Sequence, residues 1–429
     1  MKNSGIEWIG EIPEEWQLDK GKAIFRQRNE RGNNIELQIL SPSQMFGVMP
    51  QSLLEERTGH VAVKVKEETD LMTFKTMHKG DFCISLRSFQ GGFEYSAYEG
   101  VVSPAYQVFY PTKPICNNFY KYLFKTQPFI DKMNSYTMTL RDGKNIAFSD
   151  FGNSYIPYPQ ILTQQKIADF LDGKCAKIDS LIAHEEATIE ELKAYKQSVI
   201  TEAVTKGLDK SVPMKASGVE WIGEIPESWE IKKAKFLADM FSKGSGITKE
   251  DIVPDGDSPC VRYGEIYTKY DTYFKSCVTR TNLSNVSSPQ YFSYGDILFV
   301  CTGELVEEIG KNIVYLGNER CLAGGDIIVM KHSHNPLYLS FALNSHISQY
   351  QKSCNKAKLK VVHISLGDIG NLLVAVPPLK EQKQIAEYLD KKCACIDSLV
   401  SSKQQKIEEL KEFKKSLIYE YVTGKKEVA

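Results

Sequence analysis

SGIEWIGEIPEEW at residues 4–16 returns as SGVEWIGEIPESW at residues 217–229, matching at 11 of 13 positions. Downstream, TQQKIADFLDGKCAKIDSL from Thr163 to Leu181 answers EQKQIAEYLDKKCACIDSL from Glu381 to Leu399. From Ile178 to Thr205 against Ile396 to Thr423, 15 of 28 positions are identical at a constant offset of 218. The opening motif has an offset of 213, so the chain is one module written twice, with five extra residues in the middle of the second copy. The two middles, roughly 17–150 and 230–368, agree only in outline: Gly80-Asp81-Phe82 answers Gly295-Asp296-Ile297, and SDFGN at 149–153 answers GDIGN at 367–371. Similar ends imply a shared frame; dissimilar middles imply different tasks of one kind. A duplicated scaffold with a drifting surface is the alternative.

Working outward, the segment after each second motif has helical spacing. Ile178, Ile182, Ile189, Leu192, Val199 and Ala203 fall on alternating four- and three-residue steps, as do Ile396, Val400, Ile407, Leu410, Leu417 and Tyr421. This spacing predicts a coiled-coil seam. Glu185 and Lys196 interrupt the first stripe, Lys403 and Lys414 the second, and polar seam residues can fix register at a cost in stability. An antiparallel pairing would bring Glu185 toward Lys414, which attracts, and Lys196 toward Lys403, which repels; the alternative is two helices packed separately on their own domains. Pro159 and Pro377-Pro378 precede the helices, and Gly207 and Gly424 follow them as stops. A helix from about Ala176 to Thr205 would be roughly 45 Å long at 1.5 Å per residue.

DFCISL at 81–86, YQVFY at 106–110, DILFV at 296–300 and DIIVM at 326–330 read as short strands, with helices at 118–132 and 337–351. The fold class is therefore α+β: two tandem α+β globules separated by two long antiparallel helices, in pseudo-twofold duplicated halves. The divisions are 1–158 for the first globule, 159–206 for the central helix region, 207–376 for linker and second globule, and 377–429 for the distal helix region.

A chain of 429 residues exceeds one ordinary core. With 53 Lys and Arg against 54 Asp and Glu, any nucleic-acid surface must be a local patch. The amino terminus lacks a signal-like apolar run and no stretch approaches a membrane span, so a cytoplasmic protein with no membrane partner is expected. Ten scattered cysteines without a CxxC pair are expected to be reduced and buried.

At this point the sequence resembles the specificity subunits of type I restriction-modification enzymes. The resemblance rests on the paired SG(I/V)EWIGEIPExW openings, PPLKEQKQIAEYLD at 377–390 and its first copy PQILTQQKIADFLD at 159–172, the IEELK helices, and YSAYEGVVSPAYQVF at 95–109. One departure stands out: Gln160 and Thr163 replace Pro378 and Glu381, which bears on where the first helix starts. The resemblance implies two target recognition domains, each reading half of a split site in double-stranded DNA, with two modification subunits bound and restriction and translocating subunits added through the complex. It implies no cofactor on this chain; S-adenosylmethionine, ATP and Mg belong to the partner subunits. The competing class is an assembly scaffold that does not bind DNA.

Chemistry of the chain's own is not indicated. Gly244-Ser245-Gly246 lacks the spacing of a nucleotide-binding loop, no NPPY-like tetrapeptide for adenine methylation is present, and the His332-x-His334 pair reads as a solvated turn. Base edges are read by Arg, Lys, Asn, Gln and small hydroxyls, and phosphates by Lys, Arg and amides. The candidates for DNA contact are Arg87, Ser88, Gln90, Tyr95, Arg141, Lys144 and Asn145 in the first domain. Those in the second are Lys243, Ser245, Lys249, Arg262, Tyr263, Lys311, Lys356, Lys358 and Lys360. Arg87 and Gln90 are the base-reading choices and Lys144 the phosphate choice. Trp8 and Trp221, repeated at each domain entrance, are expected to be packing anchors.

Overall fold

The computed structural model describes residues 1–31, 38–60, 68–84, 92–136, 146–303, 305–354 and 362–428. The chain divides into two compact units that cut across the four sequence divisions. One comprises Met1–Glu185 with Gln405–Ala429, the other Glu186–Gln404. Each unit thus holds one globule and a length of both long helices, which run over Ile161–Lys206 and Leu379–Val422.

In the first unit a four-stranded antiparallel sheet has the order Phe25–Arg28, Gln107–Pro111, Phe82–Ile84, Phe93–Tyr95. Its buried face is aromatic: Phe25, Phe82, Phe93 and Phe109 pack on Phe124, Phe129 and Phe151, with ring centroids 5.0–6.4 Å apart across the cluster. Such edge-to-face clusters bury large areas with defined geometry. The helix expected over 118–132 is two, Asn117–Leu123 and Gln127–Ser135, and its counterpart is also two, Pro336–Asn344 and His346–Ser353. The break falls at Thr126 and at Ser345, both N-caps in extended conformation; Ser345 Oγ accepts the Ser348 amide, so a new helix starts there.

The second unit has a five-stranded sheet, Ala238–Lys243, Ile327–His332, Ile297–Val300, Asn312–Tyr315 and Tyr273–Phe274, the last pair parallel. A second sheet of four strands follows the order Thr279–Thr281, Ser258–Val261, Cys321–Ala323, Tyr291–Phe292.

The frame is built alike in both units. Gln17–Lys20 pairs with Tyr155–Tyr158, and Glu230–Lys233 with Leu373–Val376, so each opening motif leads into the strand beside the start of a long helix. The replacements at Gln160 and Thr163 do not move that start: Ile161 and Leu379 keep the offset of 218. Each opening also packs beneath the far end of the other copy's helix. Gly424 has φ +72°, and a Cβ there would run into Pro13 and come within 3.2 Å of the Trp16 ring. Gly207 has φ +74°, with the Trp229 ring 3.3 Å from a Cβ. The deep anchors are therefore Trp16 and Trp229, both buried. Of the earlier pair, Trp8 does pack on the first unit's core, half-buried against Phe129; Trp221 departs from the expectation, 45% exposed beside Tyr350.

The two long helices are antiparallel neighbours. In the first unit Lys414 Nζ lies 2.6 Å from Asp179 and Lys406 Nζ 2.6 Å from Glu185; in the second Lys196 Nζ lies 2.7 Å from Asp397. The expected contacts of Glu185 with Lys414 and Lys196 with Lys403 are thus replaced by pairs that recruit the aspartates following Ile178 and Ile396. Of the seam residues, Ile178, Ile189, Val199, Ile396, Ile407 and Leu417 are buried, and Ile182, Leu192, Val400 and Leu410 half-buried. The helices are longer than the seam, about 69 Å for 46 residues. Before Ala176 a stripe of Ile167, Ala168 and Leu171 is buried in the first unit's core instead of facing a helix alone.

Candidate nucleic-acid interface

Three loops of the second unit meet where only glycine fits. The chain turns after Lys243 at Gly244, whose amide donates to the Ile327 carbonyl at 2.8 Å and where a Cβ would strike the Gly324 carbonyl. Ser245 donates its amide to Ala323 O at 2.7 Å, and Gly324 donates its own to Val261 O at 2.7 Å. A Cβ on Gly324 would lie 2.9 Å from Val261 O and 3.3 Å from Arg262 Cα. These close approaches bring Lys243, Ser245, Arg262 and Tyr263 together from three separate stretches of chain. Asp326, at φ +58°, is the sole non-glycine residue with positive φ among the described residues, and its carbonyl accepts the Cys301 amide. That contact places the short pair Thr302–Gly303 with Val362–His363 beside the same loops.

Within the cluster the roles differ. Lys243 is exposed, and Tyr263 is 43% exposed on the first turn of helix Tyr263–Thr268. Ser245 is buried, and its Oγ accepts the Gln290 amide at 2.7 Å, so its hydroxyl is committed inside the domain. Arg262 stands at the N-cap position, where its amide donates to Glu265 Oε2 at 3.0 Å and its Nη2 to Glu265 Oε1 at 3.2 Å. Lys249 stands exposed farther along, on the turn where Asp251 accepts from Thr248. Lys311 is elsewhere, in a cleft of about 610 Å³ with Lys196, Tyr267 and Asp271. Its Nζ donates to Tyr270 O at 3.4 Å, and burial pushes its pKa down, opposed by Asp271 and Glu308.

In the first unit Tyr95 is half-buried, with its ring 5.4 Å from Phe82, a packing contact as much as a surface one. Arg87, Ser88, Gln90, Arg141, Lys144 and Asn145, like Lys356, Lys358 and Lys360, lie outside the described residues. Their neighbours show where the two first-unit stretches join the fold. Ile84 sits opposite Gln107 in the sheet; the Gln107 side chain donates to Ile146 O at 2.9 Å and accepts the Phe148 amide at 2.6 Å. The chain before 85–91 and the chain after 137–145 are thus tied to one residue, the first through its backbone and the second through its side chain, that sequence reasoning passed over.

A second missed pair is Gln164 and Gln382, both buried. Gln164 donates to Pro159 O at 2.8 Å and accepts the Cys116 amide at 2.8 Å; Gln382 donates to Pro377 O at 2.9 Å and accepts the Asn335 amide at 3.0 Å. Each fastens the first turn of a long helix to the cap of a globule helix. The signal was present: these are identical glutamines at the shared offset inside an amphipathic run.

No cluster suited to a metal ion occurs among the described residues. The His332-x-His334 stretch is not a solvated turn: His332 is pushed down to about 4, chiefly by burial, and Gln382 Nε2 lies 3.3 Å from His334 Nδ1. Six of the ten cysteines are buried and all are free thiols, with Cys354 and Cys395 exposed against expectation. No described helix is long and apolar enough to cross a membrane.

The chain is thus a duplicated frame carrying two unlike globules, at least one with a glycine-built basic loop cluster. The family model for the type I restriction modification DNA specificity domain matches residues 10–194 and again 226–412, and the chain belongs to that family. It is 26% identical over 306 residues to the MjaVIII specificity subunit of Methanocaldococcus jannaschii, covering 64% of this chain and 63% of that one. Against the EcoKI specificity subunit of Escherichia coli the identity is 23%, over 67% of this chain and 61% of the other. The chain therefore spans about three fifths of these two relatives. With the MjaIX specificity subunit of M. jannaschii the match is 21% over 97% and 94%. A solved chain from work on assembly and conformational transition of the type I R-M system superposes with TM-score 0.71 at 14% identity, covering 96% of this chain and 98% of that one. The HsdS subunit of Thermoanaerobacter tengcongensis gives 0.55 at 14%, covering 99% and 100%. These likenesses speak to the fold.

Proposed function

We propose that this chain is the DNA-reading specificity subunit of a type I restriction-modification complex, each unit taking one half of a bipartite site. The observation that carries it is the contrast between frame and heads: opening motifs, buried glutamines and helix charge pairs repeat, while the sheets and loops between them do not. A pseudo-twofold reader meets the pseudo-twofold backbone of DNA twice, and unlike heads make unlike half-sites. The long helices set the spacer between the half-sites. Catalysis, with S-adenosylmethionine, ATP and Mg, resides on partner subunits in the cytoplasm.

Two modification subunits are the expected partners, and the helix surfaces support that number. Leu181 and Leu399 are each about half exposed, as are Tyr195 and Phe413, and both couples keep the offset of 218. Exposed apolar side chains repeated on a frame provide two equivalent docking patches. The test is DNA binding by the assembled complex as salt rises: a reader contacting several phosphates loses affinity by orders of magnitude between about 50 and 200 mM salt and prefers one bipartite sequence. Affinity that ignores both salt and sequence would make the chain a scaffold.

A further inference from the structure

We propose that Arg262 reads a guanine in the half-site of the second unit and that Glu265 is the positioning residue that aims it. The proposal rests on the DNA-reading function above and adds the base and the device.

Two arginines of this chain show how differently a guanidinium can be used. Arg28 grips Asp81 side-on, Nε at 2.8 Å and Nη2 at 3.2 Å, a closed ion pair inside the first unit. Arg262 spends only Nη2 on Glu265, at 3.2 Å. Among the described residues its Nε is buried with no partner, and Nη1 has none either. A guanidinium carries five N–H donors; with Nε enclosed and one Nη2 hydrogen on Glu265, the Nη1–Nη2 edge is what remains for a ligand, and an unpaired buried N–H such as Nε is costly and rarely retained without cause. The side chain is 26% exposed, which leaves its outer edge accessible.

The open fork is also rigid. Glu265 is buried; it takes the Arg262 amide at 3.0 Å on Oε2 and has Thr279 Oγ1 at 2.9 Å from the same oxygen. The carboxylate is therefore held by backbone and hydroxyl before it holds the guanidinium. Around it the surface is cleared of side chains: Gly324 lies under Arg262, and positions 246 and 264 have nothing within 4 Å of a Cβ. A flat ligand edge can approach, with the exposed Tyr263 beside it. Guanine presents two acceptors, O6 and N7, on one major-groove edge, the match for a fixed arginine fork. A phosphate would need charge but neither the aim nor the planarity.

The experiment measures methylation by the complex with its modification subunits on duplexes randomised in the second unit's half-site. The wild-type complex is expected to demand G·C at one position, and Arg262→Ala and Arg262→Lys to relax it there by about 10- to 100-fold, leaving the other half-site unchanged. Glu265→Gln should give an intermediate preference. Retention of the full preference by Arg262→Lys, or an equal loss on every sequence, overturns the proposal. Independently of any variant, 7-deazaguanine at that position should weaken wild-type methylation by about 10-fold; indifference to it at every guanine of the half-site overturns the proposal as well. A wild-type complex with no bipartite preference would instead overturn the function on which this rests.

Discussion

Gln164 and Gln382 show what a single residue does for this architecture. Each closes two backbone bonds at the point where a helix leaves a globule, and removing such a side chain strands a buried amide and a buried carbonyl. Gln382→Ala is expected to cost about 1–3 kcal/mol in denaturant unfolding of the full chain. Lys352 gives a prediction of opposite character. It is wholly buried, donating to Gly310 O and Asn312 Oδ1, and burial lowers its pKa to about 7. An unfolded lysine titrates near about 10.4. Between these values the unfolded chain binds one more proton, so stability should climb from pH 7 to pH 10, at about 1.4 kcal/mol per pH unit in mid-window. Lys352→Met, placing the residue that Met133 supplies at the seventh position after the other N-cap, should abolish that climb. The glutamines left a trace in the sequence, as identical residues at the shared offset, whereas Lys352 left none, because a lysine in an amphipathic run reads as surface until its burial is known.

At the scale of elements, the helices were legible and their register was not. The stripe from Ile178 and the stripe from Ile396 identified the seam. The partners of Lys414 and Lys196 came from Asp179 and Asp397, one step off it, and that of Glu185 from Lys406, all of which a reading confined to seam positions overlooks. Asp179 with Lys414 and Asp397 with Lys196 are the same pair twice, related by the offset of 218. Lys196→Asp should destabilise the second unit, and adding Asp397→Lys should recover about 0.5–1 kcal/mol, since the pair is only partly shielded from water. Gly173 sits mid-helix with nothing within 4 Å of a Cβ, so Gly173→Ala should stabilise by about 0.5–1 kcal/mol. On the outer faces, Leu181→Glu should release one modification subunit, and Leu181→Glu with Leu399→Glu both, read as the mass of the complex.

At the scale of the molecule, repetition in the sequence announced two heads on a common frame, and the α+β content followed from short strands bounded by Gly and Pro. What repetition could not announce is that each opening motif docks beneath the end of the other copy's helix, through Gly424 with Trp16 and Gly207 with Trp229. Similarity says which segments are alike; contact is decided by packing. The candidate site was legible in part for the same reason. Lys243, Arg262 and Tyr263 were identifiable as residue types in glycine-bearing stretches, but the approach of Gly244 to Gly324 that gathers them is a tertiary fact. Ser245 and Lys311 belong to the interior and to a cleft.

Exchange of residues 17–150 for the corresponding stretch of a relative, followed by sequencing of methylated sites in cells carrying the complex, tests the two-headed reader most directly. One half of the recognised sequence should be replaced, while the other half and the gap persist. A change in both halves, or in neither, would contradict it.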